Sequence, residues 1–310
     1  MNPQFPVYVP TKGRWETRLT LSTLEQIGVP YKAVVEAQEF DNYARAGVKP
    51  ENMIVLPHRD KGLVVTRNWI WDHACASGTP YFWTFDDNID GFYRLNNNLK
   101  IKVKDGTILR CAEDFVQRYE NIAIAGFHYA FFAKRKVGLP PFMWNRRIYS
   151  NMFIKADLKE KDDRPFRNEG FYNDDTDLCI RVMKDKWSTV LFYAFLIGKR
   201  QTMTVGGGMT PHYVGDGRRK MAEELAAKFP GLIRVEKKFA NHGSQMDAAR
   251  APVYADGHIE ESDRGARWQH QVKYTQFEKN YPKPRTDVTI QQGINNYGMV
   301  LEQSPEFENL

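Results

Sequence analysis

Four stretches of this chain carry residue types that could do chemistry. The first is Asp86-Asp87-Asn88-Ile89-Asp90, which directly follows the apolar run Tyr81 to Phe85 (YFWTF). Neighbouring carboxylates repel one another unless a cation lies between them. Hard oxygen ligands of this kind suit Mg²⁺ or Mn²⁺, with substrate phosphates completing the shell. A solvated turn with capping Asp and Asn is the competing interpretation. The second stretch is Asp174-Asp175-Thr176-Asp177-Leu178-Cys179-Ile180-Arg181. Acids in a first helical turn are favoured by the helix dipole, so ordinary capping explains them. Alternatively, one carboxylate is a general base that deprotonates an acceptor hydroxyl.

The third stretch is His212-Tyr213-Val214-Gly215-Asp216-Gly217-Arg218-Arg219-Lys220, after the glycine run 206–208. A neutral imidazole can ligate a metal, glycines let backbone amides approach an anion, and Arg or Lys can clamp phosphates. The fourth is Lys61 to Asn68 (KGLVVTRN), which leads into a helix and could carry Arg67 and Asn68 to a nucleotide.

The elements that must position these residues follow from hydrophobic periodicity. Pro6 to Pro10, Tyr31 to Val35, Met53 to Leu56 and Tyr81 to Phe85 read as short buried strands. Between them, 16–27, 41–46 and 63–76 have helical spacing, and Gly28 stands where a helix C-cap stands. Strand–helix alternation predicts an α/β fold with a mostly parallel sheet covered on both faces. Ligands in such sheets sit beyond the carboxyl ends of the strands, where Thr11 to Arg14, Glu36 and Asp86 to Asp90 fall. Farther on, 96–105 reads as a hairpin, 114–121, 172–186 and 217–229 as helices, and 122–132 and 189–195 as strands. The boundary is drawn at a domain of 1–235 and an extension of 236–310 that packs on it or contributes to acceptor binding.

The chain has 310 residues, 42% of them hydrophobic and 13% aromatic, enough for a large core. Its net charge of +6 suits a polyanionic partner without requiring one. Three scattered cysteines without a CxxC pair point to a reducing compartment. With no signal peptide and no membrane-length apolar run, the expected location is the cytoplasm.

Taken in order, the motifs resemble those of GT-A glycosyltransferases of the family 2 type. An opening strand with P-T-x-x-R is Pro10-Thr11-Lys12-Gly13-Arg14. An acid after the second strand is Glu36, and an R-N helix carries Arg67-Asn68. A DxD-like motif is Asp86-Asp87-Asn88, and an E-D-x-D-L-x-x-R motif is Asp174 to Leu178 with Arg181. The resemblance spans about residues 5 to 220. It implies a Rossmann-like GT-A fold, a nucleotide-diphospho-sugar donor (a UDP-sugar above all) and a Mn²⁺ or Mg²⁺ ion. Pro10, Thr11, Arg14 and Glu36 would line the base and ribose, with Arg67, Asp86 and Asp87 also on the nucleotide side. Asp87, Asn88 and His212 would touch the metal, Arg218 the diphosphate, and Asp175, with Asp174 beside it, would be the base. Asn88 stands where the family has Asp, and Asp174 where it has Glu. The His212, Gly215 and Arg218 pattern belongs to retaining enzymes and the base motif to inverting ones; the base favours inversion.

The YVPTKGR opening, the TRNWIWDHA helix, WTFDDNIDGFYR and NDDTDLCIR resemble, more narrowly, the TET/JBP-associated glycosyltransferases of phage genomes. That resemblance implies 5-hydroxymethylpyrimidine in DNA as the acceptor, over hydroxymethylcytosine or hydroxymethyluracil alike. Lys134 to Lys136, Trp144, Arg146, Arg147, Lys199 and Arg200 are candidates for a DNA-facing groove. A polysaccharide or small-molecule acceptor, or a catalytically inactive DNA-binding module, are the alternatives.

Overall fold

In the computed structural model, residues 1–135, 138–158, 166, 173–200, 217–238, 267–286, 293–294 and 300–301 are described. His212, Gly215 and Lys136, together with much of the 236–310 extension, lie outside the described residues.

The alternation read from the first hundred residues is present as β1 (Val7–Pro10), α1 (Leu19–Gln26), β2 (Lys32–Glu36), α2 (Phe40–Arg45), β3 (Met53–Leu56), α3 (Leu63–Ala76) and β4 (Tyr81–Phe85). Helix α1 ends as its glycine demands. Gly28 takes φ +64° and Val29 N–H bonds back to the Leu24 carbonyl at 3.0 Å. β5 (Ile89–Asn96) and β6 (Leu99–Lys102) form the expected hairpin, turning on Asn97 and Asn98 with φ of 49° and 57°.

The next helix, α4 (Thr107–Gln117), begins well before the predicted 114–121. Asp105 Oδ1 accepts the Thr107 N–H at 2.8 Å and supplies a start signal hidden in a polar stretch. Then follow β7 (Ile122–Tyr129), β8 (Phe142–Trp144), β9 (Asn151–Lys155), α5 (Asp174–Lys184), β10 (Ser188–Lys199), α6 (Gly217–Lys228), and the antiparallel pair β11 (Ile233–Lys238) and β12 (Arg267–Val272). The short pair β13 (Gly293–Ile294) and β14 (Val300–Leu301) completes the described elements.

One sheet runs in the order β3-β2-β1-β4-β9-β7-β10-β5-β6, with β8 paired to β10. The early strands β3, β2, β1 and β4 are parallel, and so are β7 and β10. β9 is antiparallel to both β4 and β7, and β5 is antiparallel to β10. The result is an α/β fold whose parallel ladders flank one antiparallel strand. This order has a geometric consequence. The carboxyl ends of β1, β2, β4, β7 and β10 and the amino ends of β9 and β5 meet at one edge. Thr11, Glu36, Asp86, Tyr129, Ser150 and Lys199 are thereby gathered from across 189 positions of chain, Thr11 to Lys199.

Core packing follows strand alternation. Val7, Val9, Trp83 and Phe85 point to the face covered by α1 and α4; Tyr8, Val34 and Phe82 point to the face covered by α3 and α5. Both faces of β4 are buried, which is why its sequence reads as a continuous apolar run. Gly126 in β7 lies so close to β9 that a β-carbon there would press into the backbone carbonyl of Asn151 and the Ile148 side chain. Gly126→Ala is therefore expected to destabilise the fold by about 1–3 kcal/mol through overpacking, read from denaturant unfolding at unchanged m-value.

The segment after β12 packs into the same body. Phe277 is buried in the second core cluster, and Asn280 Nδ2 donates to the Met183 carbonyl at 2.6 Å. No described helix is long and apolar enough to cross a membrane. None of the three cysteines is in a disulfide.

Candidate active site

The loop after β1 is shaped by Gly13, whose φ of +65° lets the chain reverse and point its amide at both Glu39 carboxylate oxygens, each at 3.0 Å. That turn carries Thr11 and Arg14 to the loop after β4. Arg14 Nη1 pairs with Asp87, and Thr11 Oγ1 donates to Asp87 Oδ2 at 3.2 Å. Both are braced by Tyr43, fully buried in α2: its hydroxyl meets Thr11 Oγ1 at 2.6 Å and accepts the Arg14 N–H at 3.3 Å. Tyr43 gave no signal in the sequence beyond an apolar position in a short helix. Glu36, at the end of β2, is also buried; it accepts from Lys12 Nζ at 2.9 Å and from the Asp60 N–H at 3.0 Å.

Asp86 points the other way from Asp87 and sits between two cations. Arg67 Nη2 reaches one carboxylate oxygen at 2.8 Å, and Lys199 Nζ reaches the other at 2.7 Å. Its backbone N–H donates to the Ser150 carbonyl at 2.7 Å. The two cations hold the Asp86 carboxyl well below the usual carboxylate range against the opposing cost of burial, which is the largest single influence on it. The other guanidinium nitrogen of Arg67 pairs with Asp174 on α5. A single buried arginine on α3 thus ties the loop after β4 to the start of the helix that carries Asp174 and Asp175. Lys199 also donates to Ser150 Oγ, which hydrogen-bonds Tyr129 OH at 2.6 Å. Lys199 is consequently an interior site residue, not part of an exposed basic groove; sequence alone could not tell, because Lys199 at the end of β10 and Arg200 just after it are adjacent basic residues that face differently.

Asp175 accepts from the Thr176 N–H at 2.6 Å and from Thr176 Oγ1 at 3.1 Å, an arrangement that fixes its carboxylate at the helix start. Burial, then the neighbouring Asp174 charge, push its pKa up, opposed by Arg147 and Arg67. Asp177 and Arg181 are buried and pair with each other at 2.7 Å, one turn apart, so these two motif residues brace the helix.

Burial likewise pushes the Asp87 carboxyl up to about 6, with the Asp86 charge adding to it and Arg14 opposing it. The two neighbouring acids therefore have opposite stability linkages. Asp87 has a folded pKa above its ordinary 3.8, so it subtracts stability as pH rises from about 4 to about 6. Asp86 has a folded pKa below 3.8, so its contribution is intact above that value and is lost as pH falls below it. Melting curves of Asp87→Asn between pH 4 and 6.5 are expected to fall less steeply with rising pH than those of the wild type; identical slopes would contradict the placement of this carboxylate.

The site is balanced in charge: Asp86, Asp87, Asp174 and Asp175 stand among Arg14, Arg67, Arg147 and Lys199, four carboxylates against four cations. Among the described residues, no three His, Cys, Asp or Glu side chains cluster as metal ligands. Asn88 Oδ1, however, is buried without a hydrogen-bond partner. Arg218 is on α6 and lines a cavity that reaches Asn173 at the start of α5.

A family model for the TET-Associated Glycosyltransferase matches residues 5–208. The chain belongs to this family. The match covers all the described residues of the site except those on α6 and β12. No curated protein matches the chain. Among solved structures, S. aureus TarS 1-349 in complex with UDP-GlcNAc is similar at 17% identity and a TM-score of 0.41, over 72% of this chain and 66% of that one. The chain thus spans slightly under two thirds of that solved protein. A197 from STIV is similar at 12% identity and a TM-score of 0.37, over 64% and 85% of the two chains. The apo-form glycosyltransferase GlyE of Streptococcus pneumoniae TIGR4 is similar at 11% identity and a TM-score of 0.33, over 60% and 44%.

Proposed function

We propose that this member of the family moves a sugar from a nucleotide-diphospho-sugar, a UDP-sugar above all, to the hydroxyl of 5-hydroxymethylpyrimidine in DNA, with inversion at the anomeric carbon. The observation that carries the reading is the Arg67 bridge. It holds the loop bearing Asp86 and Asp87 against the helix start bearing Asp174 and Asp175, so donor-side and acceptor-side acids share one edge of the sheet.

Thr11, Arg14 and Glu36 lie at the ends of β1 and β2, the side of the edge where a nucleotide base and ribose fit the family pattern. Asp175, fixed by Thr176 and raised in pKa, is the group that takes the acceptor proton as its oxygen attacks. The acceptor oxygen gains the bond to the anomeric carbon, and the diphosphate leaves with the electron pair of the bond that breaks. Arg218, which lines the cavity near Asn173, is the residue that the motif order assigns to the charge developing on the diphosphate.

A divalent cation fits the same corner. Arg14, Arg67 and Lys199 are already paired with Asp87, Asp86 and Asp174, so an entering diphosphate needs further positive charge. The orphaned Asn88 Oδ1 is an acceptor whose burial costs about 1–3 kcal/mol unless something meets it. Asp87 and Asn88 would hold Mg²⁺ or Mn²⁺, with His212 as the third ligand implied by the motif order. Bound there, the ion would neutralise charge on the departing diphosphate.

The deciding measurement is a panel of labelled UDP-sugars incubated with hydroxymethylated and unmodified DNA. Label on hydroxymethylated DNA alone is the expected result. Transfer to a polysaccharide or small hydroxyl compound but not to DNA would replace the acceptor; UDP release in no condition would leave an inactive module.

A further inference from the structure

At the start of α5, lined there by Asn173, lies a cavity of about 320 Å³, within the range of small-ligand sites, roughly 300–1,000 Å³. Its walls include Phe132 after β7, Arg147 after β8, Arg218 on α6, and Trp268, His270 and Tyr274 on or next to β12. The β12 residues lie outside the segment that the family model matches, 5–208, so the donor-side motifs do not account for them.

Arg147 gives the cavity its character. Its one side-chain hydrogen-bond partner among the described residues is His270 Nε2, at 2.6 Å, and its guanidinium lies 4.6 Å from the Tyr149 ring centre. No described carboxylate comes within ion-pair distance of it; Asp175 acts on it only through space. A guanidinium has five N–H donors, so most of its donors lack an acceptor among the described residues. His270 accepts from Arg147 through Nε2, so the imidazole is neutral and carries its proton on Nδ1. Burial and the Arg147 charge hold its pKa down to about 3, and it cannot add a second positive charge. The cavity therefore offers one incompletely paired cation for an anion.

The remaining walls suit a flat ring. Tyr274 is backed by the Arg146 guanidinium at 5.2 Å, and Phe132 by the His128 ring at 5.7 Å, which makes both firm surfaces. Phe132 is half exposed, and Lys134 and Arg135 follow it on the surface. Gln269 and Gln271 bring amide groups that can donate and accept together, as the edge of a base requires.

We propose that this cavity binds the acceptor as a nucleotide unit of a nucleic-acid strand, the base between the Tyr274 and Phe132 walls and its phosphate on Arg147. Strand β12 and Tyr274 just after it are then the part of the chain that selects the acceptor. The inference rests on the proposed glycosyl transfer for the identity of the neighbouring base, Asp175, but its binding claim stands apart from catalysis.

The test uses the full chain and two variants, Arg147→Met and the surface variant Phe132→Ala, with a short single-stranded hydroxymethylated oligonucleotide and UDP as separate probes. Oligonucleotide binding is expected to weaken at least tenfold in Arg147→Met and several-fold in Phe132→Ala, with UDP affinity unchanged in both. If Arg147→Met fails to fold, Phe132→Ala alone carries the comparison. Equal oligonucleotide affinity in variant and wild type overturns the proposal, and so does loss of UDP affinity in place of oligonucleotide affinity. Binding that depends on Arg147 and Phe132 in a chain that transfers no sugar supports the cavity assignment and removes the catalytic one.

Discussion

Asp175→Asn is expected to lower the rate of sugar transfer by about 10²–10⁴-fold, the range for loss of a positioned general base. The replacement keeps the shape of the side chain and can still accept from Thr176. It removes a charge that burial and Asp174 already penalise, so the folded state is expected to be as stable as the wild type or more so. Donor binding is expected to stay, because the proposed role of this carboxylate is toward the acceptor. The measurement is single-turnover transfer with saturating donor, alongside a melting curve and a pH–rate profile. The wild-type profile is expected to lose activity on its acidic limb at a pH above the ordinary Asp value, and Asp175→Asn to lack that limb. Unchanged turnover in the variant would falsify the assignment.

Arg67→Met is expected to be the most damaging single change to the site as a structure. Arg67 is 6% exposed and pairs with Asp86 and Asp174 at once. Removing one partner of a buried ion pair costs about 3–5 kcal/mol, because the opposite charge is left without compensation. Asp86 retains Lys199, but no other ion pair among the described residues holds Asp174, so the start of α5 should loosen more than the loop after β4. Unfolding in urea reads the stability loss, and hydrogen exchange at the first turn of α5 reads its location. The double variant Arg67→Met/Asp174→Asn should recover part of the loss, since it removes the orphaned acid along with its partner. Stability equal to the wild type in Arg67→Met would mean that the bridge does not hold the two loops together.

The two variants separate chemistry from architecture. Asp175→Asn should fold normally and fail at transfer. Arg67→Met should fail at both, and in proportion, because the acids it aligns belong to different segments of the chain.

Much of this was legible before any coordinates. Short buried strands announce themselves by continuous apolar runs, and the early helices by their 3.6-residue period, so β1 to β4 and α1 to α3 fall within a few residues of expectation. Helix α4 starts before 114–121: Ile108, Leu109, Ala112 and Val116 already recur at helical spacing, and Asp105 turns the chain into the helix by accepting the Thr107 N–H. The basic and aromatic residues marked for a DNA groove fared unevenly. Arg200 is exposed, although paired with Asp90, and Lys134 and Arg135 are exposed. Lys199 turns inward to Asp86, while Trp144 packs against Phe115 at 5.7 Å in the core. Adjacent residues on a strand face opposite ways, and which way is set by the neighbours of that strand, not by its composition.

By itself the sequence determined which residues are chemically suited to the work and in what order the strands and helices occur, since periodicity and residue type are local properties. Only the tertiary structure decided which of them meet. Inserting antiparallel β9 between β4 and β7 brings Ser150, Tyr129 and Lys199 to the edge that already holds Asp86, and Arg67 spans from there to Asp174. Strand order is a property of long-range packing of both sheet faces, and no stretch of the chain encodes it alone.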